Sequence, residues 1–131
     1  MLKIGIDLDN TINENDITKS FFFLMTQHMW KSGEVEIHII TNREQTRNSR
    51  RETLHELEHY GIHYDFLEIT PNKHDYILKH GINVYFDDTD EYFQSLPESV
   101  TVFKIREGGN FDFDDGKWVY GNKTGRNIDR E

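Results

Sequence analysis

The sequence contains no cysteine, and that absence removes two kinds of chemistry. No disulfide framework can staple the fold, and no thiolate can serve as nucleophile or metal ligand. Long apolar runs are missing too. The most hydrophobic string, "FFFLM" at residues 21–25, is far shorter than the roughly 20 residues a helix needs to cross a bilayer. A secretory leader would need an uninterrupted apolar stretch, and Asp7 and Asp9 stand where it would lie. Positive charge is scarce: 15 lysines and arginines face 24 acidic residues, for a net charge of −9. The molecule as a whole therefore does not attract nucleic acid or an anionic membrane, although a local basic patch could still hold a phosphate. There is no repeat, linker or low-complexity tract. The expectation is a soluble, cytoplasmic protein.

What remains is 131 residues, 35% hydrophobic and 30% charged, which suits a single domain over 1–131 with a real core. Residues 2–8 read as a buried strand. The next segment has a helical stripe of Ile17, Phe21, Leu24, Met25 and Met29, with Asp16 as N-cap and Gly33 at the exit. A strand over 34–41 and a charged helix over 44–60 follow, the helix marked by Leu54, Leu57 and Tyr60 and closed by Gly61. Then come a short strand over 66–69, a helix over 72–80 ended by Gly81, the strand "INVYFDD", a short helix "EYFQSL" and a final core strand over 100–105. The tail alternates around Asp115-Gly116, a two-residue hairpin signal. Strand–helix alternation of this kind predicts an α/β, three-layer Rossmann-like domain with a mostly parallel sheet and a C-terminal β-hairpin.

Open parallel sheets bind ligands at the carboxyl ends of their strands, and the notable polar residues fall there. Asp7 and Asp9 end the first strand, Thr41 with Asn42 and Arg43 ends the second, and Asp87 and Asp88 end the fourth. Lys73 opens the helix that feeds the fourth strand. Lys79 is six residues further on, roughly 9 Å down the helix toward the wrong edge, so Lys73 is the choice. Four carboxylates at one edge repel unless a cation joins them, and Mg²⁺ suits an all-oxygen set. A magnesium site beside lysine, threonine and helix N-termini is a phosphate site.

These residues, read together, resemble the haloacid dehalogenase superfamily of aspartate-nucleophile phosphohydrolases. "DLDNT" matches its first motif, "IITN" its threonine motif, Lys73 its lysine motif and "VYFDD" its acidic motif, in the family's order. The resemblance implies that Asp7 is the nucleophile and Asp9 the acid and base, the Asp9 backbone carbonyl also helping to hold Mg²⁺. It implies that Thr41 and Lys73 bind the phosphoryl oxygens, with Asn42 and Arg43 beside them, and that Asp88 ligates the metal with Asp87 in support. The intervals between motifs leave no room for a separate cap domain. The tail after "FDD" looks most like the 5′(3′)-deoxyribonucleotidase branch, which implies a small phosphorylated substrate, a nucleotide. A nucleic-acid 3′-phosphatase is the nearest alternative, favoured if Arg43, Arg47 and Arg50 or Arg51 form a basic rim and disfavoured by net charge. A non-catalytic phosphate- or partner-binding module is the rival from another class. Oligomeric state stays open.

Other patterns read as structural. "HELEH" (55–59) matches a zinc-protease pattern but lacks a third ligand at the expected spacing, and Gly61 explains itself as a helix cap. Phe22, Phe23 and Trp30 lie off the main stripe of the first helix and imply packing on two sides, the alternative being a dimer or base-stacking surface. The hairpin near 111–120 reads as an edge extension, the alternative being a lid carrying Trp118 or Tyr120. Asp112, Asp114 and Asp115 read as solvated turn residues. His28, His38, His74 and His80 have no ligand spacing, although His74 adjoins Lys73.

Overall fold

The computed structural model of the chain describes residues 1–106, 108 and 111–118. Five strands form one sheet: β1 (Leu2–Ile6), β2 (Val35–Thr41), β3 (Phe66–Ile69), β4 (Val84–Asp87) and β5 (Thr101–Lys104). They lie in the order β3-β2-β1-β4-β5, and every pairing is parallel. Parallel neighbours need crossovers, and these are α1 (Asp16–Ser32), α2 (Arg47–Tyr60) and α3 (Lys73–His80), with a single 3₁₀ turn (Asp90–Phe93) between β4 and β5. The three-layer α/β expectation holds. Among the described residues no helix is long and apolar enough to cross a membrane.

Side chains alternate across the strands and divide the core into two layers. Ile4, Ile6, Ile37, Ile39 and Phe86 meet Phe22 of α1 and Leu57 of α2. On the opposite face Ile40 and Tyr85 meet Ile77 of α3, with Tyr92 and Phe93 alongside. Gly5 sits on that second face because nothing larger fits: a Cβ there would come within 2.9 Å of Ile40 Cδ1. The chain builds outward from β1 to β3 with helices on one face, then returns through α3 to the other side of β1. The switch point therefore lies between β1 and β4, where such sheets open a crevice.

The first strand ends sooner than expected. After Ile6 the Asp7 N–H donates one more bond, 2.9 Å to the Phe86 carbonyl. The chain then enters a π-type turn over Leu8–Ile12, with Asn10 in the left-handed region at φ +60°. Asp7 and Asp9 thus do not project side by side from a continuing strand.

α1 is capped by Asn15 rather than Asp16. The Thr18 N–H donates 2.9 Å to Asn15 Oδ1, and the Asn15 N–H donates 3.0 Å to Thr18 Oγ1, a reciprocal capping box. Its buried face is also rotated from the expected stripe. Phe22 and Thr26 are buried with Met25 and Met29 beside them, while Ile17, Phe21 and Leu24 are exposed. Phe22 wins its place by meeting Phe86 edge-on at 5.6 Å. Thr26 is accommodated because its hydroxyl donates to the Phe22 carbonyl (2.7 Å) and accepts from the His63 N–H (3.2 Å). The off-stripe aromatics therefore divide. Phe22 is core, Phe23 lies against Gly61, where a Cβ would sit 2.7 Å from its ring, and Trp30 stacks on His63 at 4.9 Å.

Three smaller expectations shift. In α2 the residue facing the core beside Leu57 is Thr53, and Leu54 is exposed. β5 is an edge strand with Val102 and Phe103 exposed, not a core strand, because among the described residues it pairs with β4 alone. The C-terminal hairpin, β6 (Phe111–Asp112) with β7 (Lys117–Trp118), turns through residues 113–116 rather than through two residues, with Gly116 at φ +67°. Asp114 and Asp115 are exposed turn residues. The Trp118 side chain and all of Tyr120 fall outside what is described.

The inner face of α1 can be checked directly. Phe22→Ala should cost about 3–5 kcal/mol, whereas Ile17→Ala should stay within about 0.5 kcal/mol of wild type, both read from urea midpoints. Equal losses would contradict the assigned face.

Candidate active site

Three acidic residues meet at the switch point. Asp7 leaves β1, Asp87 closes β4, and Asp88 follows it; all are buried. Each offers a carboxylate oxygen within 4.8 Å of the others, and among the described residues this is the only such grouping of potential metal ligands. α3 starts at the same sheet edge and delivers Lys73, whose ammonium is also buried. It donates 2.7 Å to Asp7 Oδ1 and 3.0 Å to Asp87 Oδ2, and stands 4.2 Å from the centre of the Tyr92 ring. Lys79, the other lysine considered, is exposed on the same helix.

Other polar contacts hold the acids still. Asp7 Oδ2 accepts from Thr11 Oγ1 at 3.0 Å. Asp87 Oδ2 accepts from the Tyr85 hydroxyl, and Asp87 Oδ1 accepts from the Thr89 N–H at 2.9 Å. Asp88 Oδ2, by contrast, is buried without a hydrogen-bond partner, and so is Thr41 Oγ1. A buried carboxylate oxygen left bare is costly. Three carboxylates and one ammonium also leave two negative charges if all are ionised, so the set fits a divalent cation.

The electrostatics carry the same strain. Burial and the Asp87 carboxylate push Asp7 up from 3.8 to about 6, against the pull of Lys73. Burial, then Asp7 and Asp87, push Asp88 up to about 9. Burial pulls the Lys73 ammonium down, but Asp7 and Asp87 together outweigh it and raise it. The two acids are raised by burial and by like charges crowded beside them, the lysine by its opposite charges.

A cleft of about 140 Å³ opens over this cluster, lined by Asp7, Asp9, Asn10, Thr41, Asn42, Lys73, Asp88, Thr89 and Tyr92. The structure therefore brings Asp7, Asp9, Thr41, Asn42, Lys73 and Asp88 to one opening, with Asp87 behind them. Arg43 is turned aside. Its guanidinium makes a bidentate pair with Asp9, 2.7 and 2.9 Å, and also reaches Glu56 and Thr53. The Arg43 bonds hold the Asp9 carboxyl below the usual carboxylate range despite its partial burial. The Asp9 carboxylate consequently stands apart from the three-acid cluster. Neither Arg47 nor Arg50 lines the cleft; both flank a separate depression with Gln45 and Glu68.

The remaining motifs do not assemble. His55 and His59 lie exposed on α2. His74 points to the Ser95 carbonyl at 3.0 Å rather than into the cleft. His28 is exposed. Both ring nitrogens of buried His38 are engaged, by Tyr76 and Glu36, and His80 packs on Tyr76. Reading the sequence alone missed Tyr92, Tyr85 and Thr89. Only Thr11 had a visible signal, as the closing residue of "DLDNT".

Among solved structures, a chain of the Pnkp1/Rnl/Hen1 RNA repair complex matches this fold with a TM-score of 0.59 at 17% identity, over 83% of this chain and 44% of that one. A chain of a second structure of the Pnkp1/Rnl/Hen1 complex matches with a TM-score of 0.59 at 19% identity, over 86% and 48%. At these identities the likeness is one of fold alone, and this chain spans less than half the length of the chains it matches. No family model matches the sequence, and no curated protein matches it.

The raised carboxyls set a pH dependence for the metal-free protein. Asp7 and Asp88 bind protons more tightly folded than unfolded, so they favour the folded state at low pH. That contribution is lost as pH climbs from about 3.8 through about 6 and 9. Asp9, shifted the other way, acts only below that window. The melting temperature without divalent ions should therefore fall between about pH 5 and about pH 9, and millimolar Mg²⁺ should restore it most at the alkaline end. Asp88→Asn should melt higher than wild type without metal and lose the response to Mg²⁺.

Proposed function

We propose that this chain is a Mg²⁺-dependent phosphomonoester hydrolase of the haloacid dehalogenase type, working through a phosphorylated Asp7. The observation that carries the reading is the buried Asp7–Asp87–Asp88 cluster, bridged by Lys73 and opening on a cleft with the unpartnered Thr41 hydroxyl. In this reading Asp7, Asp88 and the Asp9 carbonyl hold the ion, with Asp87 supporting. When bound, Mg²⁺ would offset the acidic cluster and stabilise charge developing on the phosphoryl oxygens.

The chain's own groups do the rest. Thr11 and Lys73 fix the Asp7 carboxylate, one oxygen of which attacks phosphorus as the bond to the leaving oxygen breaks. Asp9, protonated from solvent once it turns from Arg43, gives that oxygen a proton, then takes one from the water that attacks the aspartyl-phosphate, releasing phosphate and restoring Asp7. The Thr41 hydroxyl and the Lys73 ammonium, with Asn42 on the cleft wall, bind the phosphoryl oxygens and stabilise their growing charge.

Nucleotide monoesters are the first substrate class. Phosphorylated nucleic-acid ends are the second, supported by the fold shared with chains of an RNA repair complex and by an open cleft. The acidic net charge and the engagement of Arg43 by Asp9 and Glu56 weigh against a long polyanion.

Asp7→Asn should lower turnover of an aryl phosphate by about 10⁴-fold or more without unfolding the protein, and Lys73→Met by about 10²–10³. Chelation should abolish activity and Mg²⁺ restore it. A screen of deoxynucleotides and 3′-phosphorylated oligonucleotides separates the two substrate classes. Undiminished activity in Asp7→Asn would refute the mechanism, and no turnover of any monoester would favour a non-catalytic binding module.

A further inference from the structure

We propose that Glu56, on α2 and outside the cleft, is a positioning residue for Asp9, acting through Arg43. The inference deepens the phosphatase reading and rests on Asp9 being its proton donor.

One guanidinium serves two carboxylates. Arg43 Nε and Nη2 donate to Asp9 at 2.9 and 2.7 Å, while Nη2 also donates to both Glu56 oxygens at 3.0 and 3.2 Å. Nη1 donates 3.0 Å to Thr53 Oγ1, itself bonded to the Ser49 carbonyl. Asn13 Nδ2 bridges the same two acids, 3.1 Å to Asp9 and 3.0 Å to Glu56. Such shared, bidentate contacts fix direction as well as charge.

The two acids are not held equally. Glu56 is on a regular helix, accepts a further bond from Tyr60 one turn along (3.0 Å), and has a side chain 25% exposed. Asp9 is in a non-helical turn before left-handed Asn10, lines the cleft, and is 44% exposed. Glu56 is therefore the fixed anchor and Asp9 the exchangeable partner. When Asp9 turns toward the leaving oxygen, Glu56 and Thr53 keep Arg43 in place and neutralised, ready to receive Asp9 back. Without Glu56, Asp9 is the one carboxylate left on the Arg43 guanidinium among the described residues, and it is retained there. Asp7, Thr41 and Lys73, which attack and bind, make no contact with Glu56 among the hydrogen bonds described.

This division makes the effect depend on the leaving group. Transfer from an alkyl phosphate needs the Asp9 proton; transfer from 4-nitrophenyl phosphate, whose leaving oxygen is stable as an anion, does not. The experiment measures kcat/KM, which reports the first chemical step, on both esters with the full chain and Mg²⁺. Glu56→Ala should lose about 10–100-fold on the alkyl ester, the range for a group that orients an active-site residue, and remain near wild type on the nitrophenyl ester. Glu56→Gln, which keeps the shape and an acceptor, should recover part of the loss, and it carries the test alone if the alanine variant does not fold. Equal losses on both esters, or no loss on either, would overturn the role of Glu56 while leaving the phosphatase reading intact. A wild-type protein that hydrolyses neither ester would overturn both.

Discussion

A single buried ammonium organises the centre of this molecule. Lys73 lies between Asp7 and Asp87, with all three side chains nearly excluded from water. Desolvating such charges is expensive, and their mutual attraction compensates only if geometry is good and the other polar atoms are satisfied. The surroundings meet that condition for Asp7 through Thr11 and for Asp87 through Tyr85 and Thr89. The start of α3, the end of β1 and the end of β4 must consequently meet at one point. The parallel order with its switch between β1 and β4 is the topology that brings them there. Asp88 is left over, with a bare oxygen and a carboxyl pushed far up, and that imbalance is what a bound cation would offset.

A second ionic network lies beside the first and differs in kind. Arg43, Asp9, Glu56 and Asn13 are partly exposed, and the contacts of Arg43 are divided between competing acceptors. Water screens these charges, so rearranging them is cheaper than disturbing Lys73. A rigid buried set suits groups that must stay in place, and a half-exposed set suits one that must swing. The proposed labour of Asp7 and Asp9 follows that division.

Charge and sheet order together explain why the helices lie as they do. α1 and α2 cover β1 to β3 on one face, and α3 with the 3₁₀ turn covers the other. The 3₁₀ turn contributes Tyr92, whose ring faces the Lys73 ammonium and whose hydroxyl accepts from Asn42 at 3.0 Å. One aromatic side chain thus joins the core of the second face to the wall of the cleft.

By itself the sequence determined the strand and helix alternation, the glycine helix ends, and which carboxylates, threonine and lysine stand at strand ends, since these follow from local period and spacing. It chose Lys73 over Lys79 for the same reason: helical rise is a local quantity. Tertiary structure decided what depends on partners distant in the chain. Three consecutive phenylalanines offer a helix several possible inner faces, and contact with Phe86 selected Phe22. Thr26 and Thr53 read as polar until the carbonyls and donors that satisfy them are brought near. The direction of Asp9 was likewise hidden, because it is set by an arginine more than thirty residues away, and long-range pairing leaves no periodic trace along the chain.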